Sequence, residues 1–345
     1  MIKIKPSFAV LHLIAGLLFT ILGASSVFAV GEAGPISLRA QGNFFVGLEL
    51  TEPAEDGSVM ARNQMFVGYQ LVAEPQHPYP LILIHGGGGQ ASDWFTTPDG
   101  RDGWRNYFLA AGFDVYWVDR PGYGRSPSTS AYGELGPGAP SSIISFLATS
   151  EHWPGDASNL TDPSVVNWLS GSMPGPYAGD EVAAADLAEL LERIGPAIVI
   201  THSAGGITGW WGLDANSDNV AGLMAIEAAG SNILEENVRQ GLTFAPALPE
   251  DFSTVTDSDG CALQADDAIS LLPAFADKQI ILVGAERGLI AALPCGLKTL
   301  QQAGAQASYV YLPDYGFEGN GHFMMADTNN GDIAQLLIEF LSQIE

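Results

Sequence analysis

Apolar residues along this chain follow two rhythms. Residues 79–84, 113–118, 197–200, 220–226, 279–283 and 308–312 are short, nearly continuous apolar runs, the pattern of strands buried on both faces. Residues 104–111, 180–194, 204–213, 289–303 and 331–344 instead space their apolar positions three and four apart, which predicts amphipathic helices. Ahead of both, residues 43–50 and 65–74 predict an opening antiparallel pair of strands. Strands alternating with helices imply a mostly parallel central sheet with helices on both faces. Two stretches break the alternation. Residues 127–179 are rich in Pro, Gly, Ser and Trp, with short helical patterns near 141–150 and 163–169. They read as a cap inserted between a strand and the next helix, and residues 231–276 form a second irregular segment. Residues 30–345 are therefore expected to make a single domain.

Residues 1–29 stand apart from that domain. Lys3 and Lys5 precede an apolar run that ends at Val27-Phe28-Ala29, the layout of a cleaved secretory signal peptide. The mature chain is expected to be secreted or periplasmic, with no membrane attachment after cleavage. Cys261 and Cys295, the only cysteines, are expected to pair in that oxidising setting. The formal charge of −26 opposes nucleic acid and anionic membranes as partners. Oligomeric state is not legible in the sequence.

Candidate chemistry begins where the strand at 197–200 runs into Thr201-His202-Ser203-Ala204-Gly205-Gly206. A serine that leaves a buried strand, sits among small residues and opens a helix resembles the nucleophile elbow of α/β-hydrolases, although Thr201 occupies the usual glycine position. That fold orders its triad as serine, acid, histidine. His322, within Gly319-Asn320-Gly321-His322-Phe323, is the only histidine after Ser203 and is the predicted base. His85-Gly86-Gly87-Gly88-Gly89 follows another buried strand. Its glycines would let backbone amides approach a substrate oxygen, so Gly87, with Gly88 as alternate, and the Ala204 amide are the predicted oxyanion donors. The run lacks a P-loop lysine.

The acid must lie between Ser203 and His322 at a strand end. Glu227 follows the sixth predicted strand in apolar company, and Glu286 follows the seventh beside Arg287; the residues alone leave both open. In the cap, Phe146, Trp153 and Trp168 are candidates to line an acyl or alcohol pocket, with cap packing as the alternative. His202 is expected on the far side of the elbow from Ser203. Asp327-Thr328-Asn329-Asn330-Gly331-Asp332 has the wrong glycine spacing for a calcium loop and reads as a helix entry capped by Asp332.

The run from His85-Gly86 through Trp94, then Thr96-Thr97-Pro98-Asp99-Gly100-Arg101, Gly103-Trp104, Asp119 and Gly122-Tyr123-Gly124-Arg125-Ser126 resembles a group of secreted bacterial α/β-hydrolase esterases. The resemblance spans most of the mature chain and departs in the all-glycine oxyanion loop. It implies an α/β-hydrolase fold, hydrolysis of small carboxylic esters, no metal or organic cofactor, and a glutamate acid after the sixth strand, which falls on Glu227. A lactonase, an amidase, a hydroxynitrile-lyase-type enzyme and a non-catalytic binding protein are the alternatives on the same residues.

Overall fold

The computed structural model describes residues 33–134, 140–172, 175–289 and 293–344; the expected signal segment lies outside them. Eight strands form one sheet: β1 (Leu38–Val46), β2 (Met65–Val72), β3 (Leu81–Ile84), β4 (Val115–Asp119), β5 (Ala197–His202), β6 (Val220–Ile226), β7 (Gln279–Gly284) and β8 (Gln306–Tyr311). Their spatial order is β1-β2-β4-β3-β5-β6-β7-β8. β1 and β2 pair antiparallel, as do β2 and β4. From β4 to β8 the pairing is parallel.

Side-chain alternation explains why the central strands read as continuous apolar runs. Leu83, Ile200, Met224 and Val283 face one layer, with Trp104, Phe108, Ile333 and Leu337 from helices α1 (Trp104–Ala110) and α8 (Asn330–Leu341). Ile82, Val199, Leu223 and Leu282 face the other, against Leu187, Leu190, Trp210 and Leu300. Those come from α4 (Asp180–Ile194), α5 (Gly205–Ala215) and α7 (Leu293–Gln302). Both faces are covered, so a strand has no polar side to display.

Several local expectations shift. The first strand runs over Leu38–Val46, and Glu49–Leu50 instead pairs with Ala61–Arg62 in a small hairpin. Gly47, with φ +74°, turns the chain between them. Asn329 occupies the cap position of α8 without a side-chain capping bond to the helix, and Asp332 lies inside the first turn. Its carboxylate there still complements the helix dipole.

The segment 127–179 contributes α2 (Pro140–Leu147) and α3 (Pro163–Ser170). Leu147, Trp153 and Val165 form a small core of their own, against which Trp168 and Phe323 pack. The second irregular segment holds the short helix α6 (Glu236–Arg239), and its Cys261 is bonded to Cys295 in α7. Lys298, one turn further along α7, pairs with Asp257 and Asp259 at 2.5 Å each. The disulfide spans 34 residues, a loop whose closure in the unfolded chain is worth about 4 kcal/mol on a chain-entropy basis.

On α4, Asp186 is only 3% exposed and its Oδ2 has no partner among the described residues. It packs so tightly under Gly47 that a Cβ there would lie 1.9 Å from Oδ1. Burial, helped by Glu189, pushes the Asp186 carboxyl up to about 8. Between its ordinary pKa of about 4 and about 8, the folded chain keeps a proton that the unfolded chain releases. Stability therefore falls as pH rises through this window. Asp186→Asn removes the ionisation, so its melting temperature should exceed wild type at pH 8.5 and the gap should close near pH 4. Melts of both proteins across that range check the sign.

Candidate active site

β5 and β6 end in register, with His202 opposite Ile226, and Ile226 lies opposite Val283, one residue before the end of β7. Ser203 and Glu227 are thus the first residues beyond neighbouring strand ends. Both adopt left-handed backbone, with φ +50° and +43°, a conformation that costs a residue with a Cβ roughly 1–2 kcal/mol. Backbone bonds offset it: Ser203 N donates to Ile226 O at 3.2 Å, Ala229 N to Ser203 O at 2.8 Å, and Glu227 N to Val283 O at 2.8 Å.

Small residues around Ser203 are steric requirements. A Cβ at Gly205 would lie 2.5 Å from His85 O, one at Gly206 2.3 Å from Ala229 O, and one at Gly86 2.9 Å from Ser203 Cβ. Thr201, the departure from the usual elbow, is fully buried. Its methyl occupies space beside Gly209 of α5, where a Cβ would come within 2.5 Å of Thr201 Cγ2. A glycine in the facing helix absorbs the larger residue.

His322 Nε2 lies 2.9 Å from Ser203 Oγ, and His322 Nδ1 lies 3.3 Å from Glu227 Oε2. Glu227 is 1% exposed. Its Oε1 accepts from Ala285 N at 3.1 Å and its Oε2 from Leu289 N at 2.7 Å. Gly288 admits the carboxylate, since a Cβ there would sit 2.1 Å from Oε1.

Glu286, the other acid candidate, is exposed and points elsewhere: its Oε2 accepts from Gly319 N at 2.7 Å. It is not paired with Arg287, whose guanidinium meets Glu151 of the cap segment. Glu286 thus anchors the loop that carries His322. Asn320 anchors it too, donating to Asp327 and Asn329 at 2.8 Å each.

His202 departs from expectation. Its ring lies 4.7 Å from that of His322, centroid to centroid, and its Nε2 donates to the His322 carbonyl at 3.0 Å. Burial first, and then the neighbouring His322, push its pKa well below the usual value, so it stays neutral while holding the loop. Sequence periodicity gives no such signal, because the contact spans 120 residues.

Gly87 and Ala204 face each other closely: a Cβ on Gly87 would be 3.2 Å from Ala204 Cβ. Neither amide donates to another protein group among the described residues, and Gly87 lines a cavity beside Ser203. That cavity is lined by Gly86–Gly89, Phe146, Trp168, Ser203, His322 and Phe323 and holds about 50 Å³. Phe146 stands 6.1 Å edge-on from the His322 ring. Trp153 does not reach the cavity. It is buried in the cap core, edge-on to Trp168, with Nε1 donating to Ser164 Oγ at 3.0 Å.

Asp93 also lines this cavity and was not singled out from the sequence. Its Oδ2 packs onto Gly89, 2.1 Å from where a Cβ would be. Burial raises its pKa to about 8. In the sequence it looks like any acidic residue in a helical first turn.

Geometry of this kind should activate the serine toward phosphorus electrophiles. A fluorophosphonate is expected to label Ser203, with no label in Ser203→Ala and a rate at least about 100-fold lower in His322→Gln. Intact-protein and peptide mass spectrometry check this.

Comparison with known proteins agrees with this architecture. The profile of the alpha/beta hydrolase fold family matches residues 79–262. A protein described as a probable secreted lipase phiG, from Fungal sp. (strain ATCC 74256), is 29% identical over 333 residues, covering 86% of this chain and 91% of the relative. A solved structure described as a novel bacterial esterase superposes with a TM-score of 0.69 at 21% identity, covering 91% of this chain and 99% of its own. With more than half of its length matched by the family profile, the chain belongs to the alpha/beta hydrolase fold family.

Proposed function

We propose that this member of the alpha/beta hydrolase fold family is an exported carboxylic ester hydrolase that works through Ser203, His322 and Glu227. The observation that carries the reading is the 2.9 Å approach of His322 Nε2 to Ser203 Oγ, with Glu227 behind the imidazole. Ser203 Oγ bonds to the ester carbonyl carbon as its proton passes to His322 Nε2. The amides of Gly87 and Ala204 hold the resulting oxyanion. Collapse breaks the bond to the alcohol oxygen, which takes the proton from His322 and leaves an acyl-serine. Water then attacks with His322 again as base, releasing the acid and restoring Ser203. Glu227 keeps the imidazole in the tautomer with Nδ1–H and stabilises the imidazolium that forms.

Export is supported by the Cys261–Cys295 disulfide and by the relative described as secreted. The group of esterases with a glutamate acid remains the nearest reading of the motifs, and Glu227 is the residue that fits it. The small cavity between Phe146, Trp168 and the glycine loop suits a short acyl chain. A lactone or amide uses the same steps, and parallel assays on matched ester, lactone and amide substrates separate these classes.

Glu227→Gln should lower kcat on a small chromogenic ester by about 10²–10⁴-fold, while Glu286→Gln, which touches only the loop anchor, should stay within about fivefold. The reverse ranking would transfer the acid role to Glu286. Acetyl and butyryl esters should be turned over faster than octanoyl esters, and a long-chain preference would overturn the short-acyl assignment.

The Asp93 carboxyl, with its pKa near 8, predicts an alkaline decline. Below that pH it is neutral. Above it, a negative charge appears in the cavity where the oxyanion develops, and kcat/KM should fall. Asp93→Asn should keep its rate between pH 8 and 9.5, as initial-rate profiles of both proteins would reveal.

A further inference from the structure

Two buried donors converge on one carbonyl in the glycine loop. Arg120 Nη2 donates to Gly86 O at 3.0 Å, and His85 Nδ1 donates to the same oxygen at 2.7 Å. His85 can donate there because its Nε2 accepts from the Arg120 amide at 3.0 Å, which fixes the tautomer. Burial, with the Arg120 charge adding to it, lowers the His85 pKa to about 3, so the ring stays neutral at any working pH.

Arg120 is itself 0% exposed. Its Nη1 meets Asp180 Oδ1 at 3.3 Å, and its guanidinium carbon stands 5.0 Å from the Tyr123 ring and 5.2 Å from the Tyr177 ring. Tyr177 Oη donates to Asp180 Oδ2 at 3.0 Å. Even so, Arg120 Nε has no partner among the described residues. A buried, incompletely paired cation is a costly way to fill space, and an apolar side chain of similar volume is often as stable.

The bonded carbonyl belongs to the peptide whose other end is the Gly87 amide. A trans peptide is planar, with N–H and C=O on opposite sides, so clamping the Gly86 oxygen fixes the direction of the Gly87 N–H. In a run of four glycines nothing else in the side chains does so. A charged donor on the carbonyl also polarises the amide and strengthens its N–H as a donor.

We propose that Arg120, together with His85, is a positioning residue that aims and polarises the Gly87 amide as an oxyanion donor, and that it links the end of the cap, through Tyr177 and Asp180, to the reaction centre. This rests on the assignment of Gly87 above.

The test uses Arg120→Gln, Arg120→Lys, His85→Leu and His85→Asn in the full exported protein. Steady-state kinetics on a small ester are compared with inhibition by a trifluoromethyl ketone, whose serine adduct carries an oxyanion. Removing the Arg120 clamp should lower kcat by about 10–100-fold, somewhat less than loss of a direct donor, and raise the ketone Ki by a similar factor. KM should stay within about threefold, and the acid limb of the pH profile should not move. His85→Asn, which keeps an amide donor, should lose less than His85→Leu. Folded Arg120→Gln with kcat and Ki both within twofold of wild type would overturn the proposal. So would a fall in kcat with unchanged Ki, which marks a structural role only. If the arginine variants do not fold, the His85 pair decides by the same two readouts. If wild type is labelled by a fluorophosphonate yet turns over no ester, the ester reading fails, and the phosphonylation rates of the variants decide the clamp separately.

Discussion

Three backbone bonds across the carboxyl edge of the sheet hold the site in register. Ser203 N reaches Ile226 O, Ala229 N returns to Ser203 O, and Glu227 N reaches Val283 O. They lock the left-handed turns at Ser203 and Glu227 to one another and to β7. Strained backbone persists only where its surroundings over-determine it, and here the strained residues help to satisfy each other. The sheet below them is buried on both faces, so its strand ends form a stiff platform. Ser203 and Glu227 therefore stand in a fixed relation, and only His322 arrives from a loop.

That loop carries its own restraints. Glu286 holds Gly319 N, Arg287 N holds Asn320 O, and His202 holds the His322 carbonyl. The cap segment closes from above: a Cβ at Gly321 would meet Thr149 Oγ1 at 2.7 Å, and Glu151 N donates to Gly319 O at 2.9 Å. His322 is thus positioned by the seventh strand's following loop, by the residue before Ser203 and by segment 127–179 together. The disulfide and the Lys298 pairs fasten the second irregular segment to α7 in a comparable way.

Local chemistry made much of this legible in advance. Doubly buried strands announce themselves as unbroken apolar runs, and Ser203 and His322 follow from strand ends, glycines and triad order. What local patterns missed is non-local. The apolar neighbours of Glu227 and the arginine beside Glu286 only lean toward one carboxylate facing inward across Gly288 and the other outward to Gly319; the partners that decide it are non-local. Trp153 and Trp168 are alike as cap tryptophans, yet the hydrogen bond to Ser164 puts the first in the cap core. His202 looked like a bystander because its partner is the backbone of a loop from the far end of the chain. Asp93 and Arg120 carry no local mark at all; their settings arise from glycines whose missing Cβ atoms admit them, or from a carbonyl in another segment.

The accommodation between Thr201 and Gly209 makes two distant positions one unit of variation. A β-branched residue two places before the serine is compatible with this elbow only while the facing helix lacks a methyl group at 209. The same threonine would clash in a relative with alanine at 209, so the effect of either substitution depends on the background it enters. Such epistasis lets the elbow's sequence drift away from its usual glycine without disturbing the serine, provided the helix changes first.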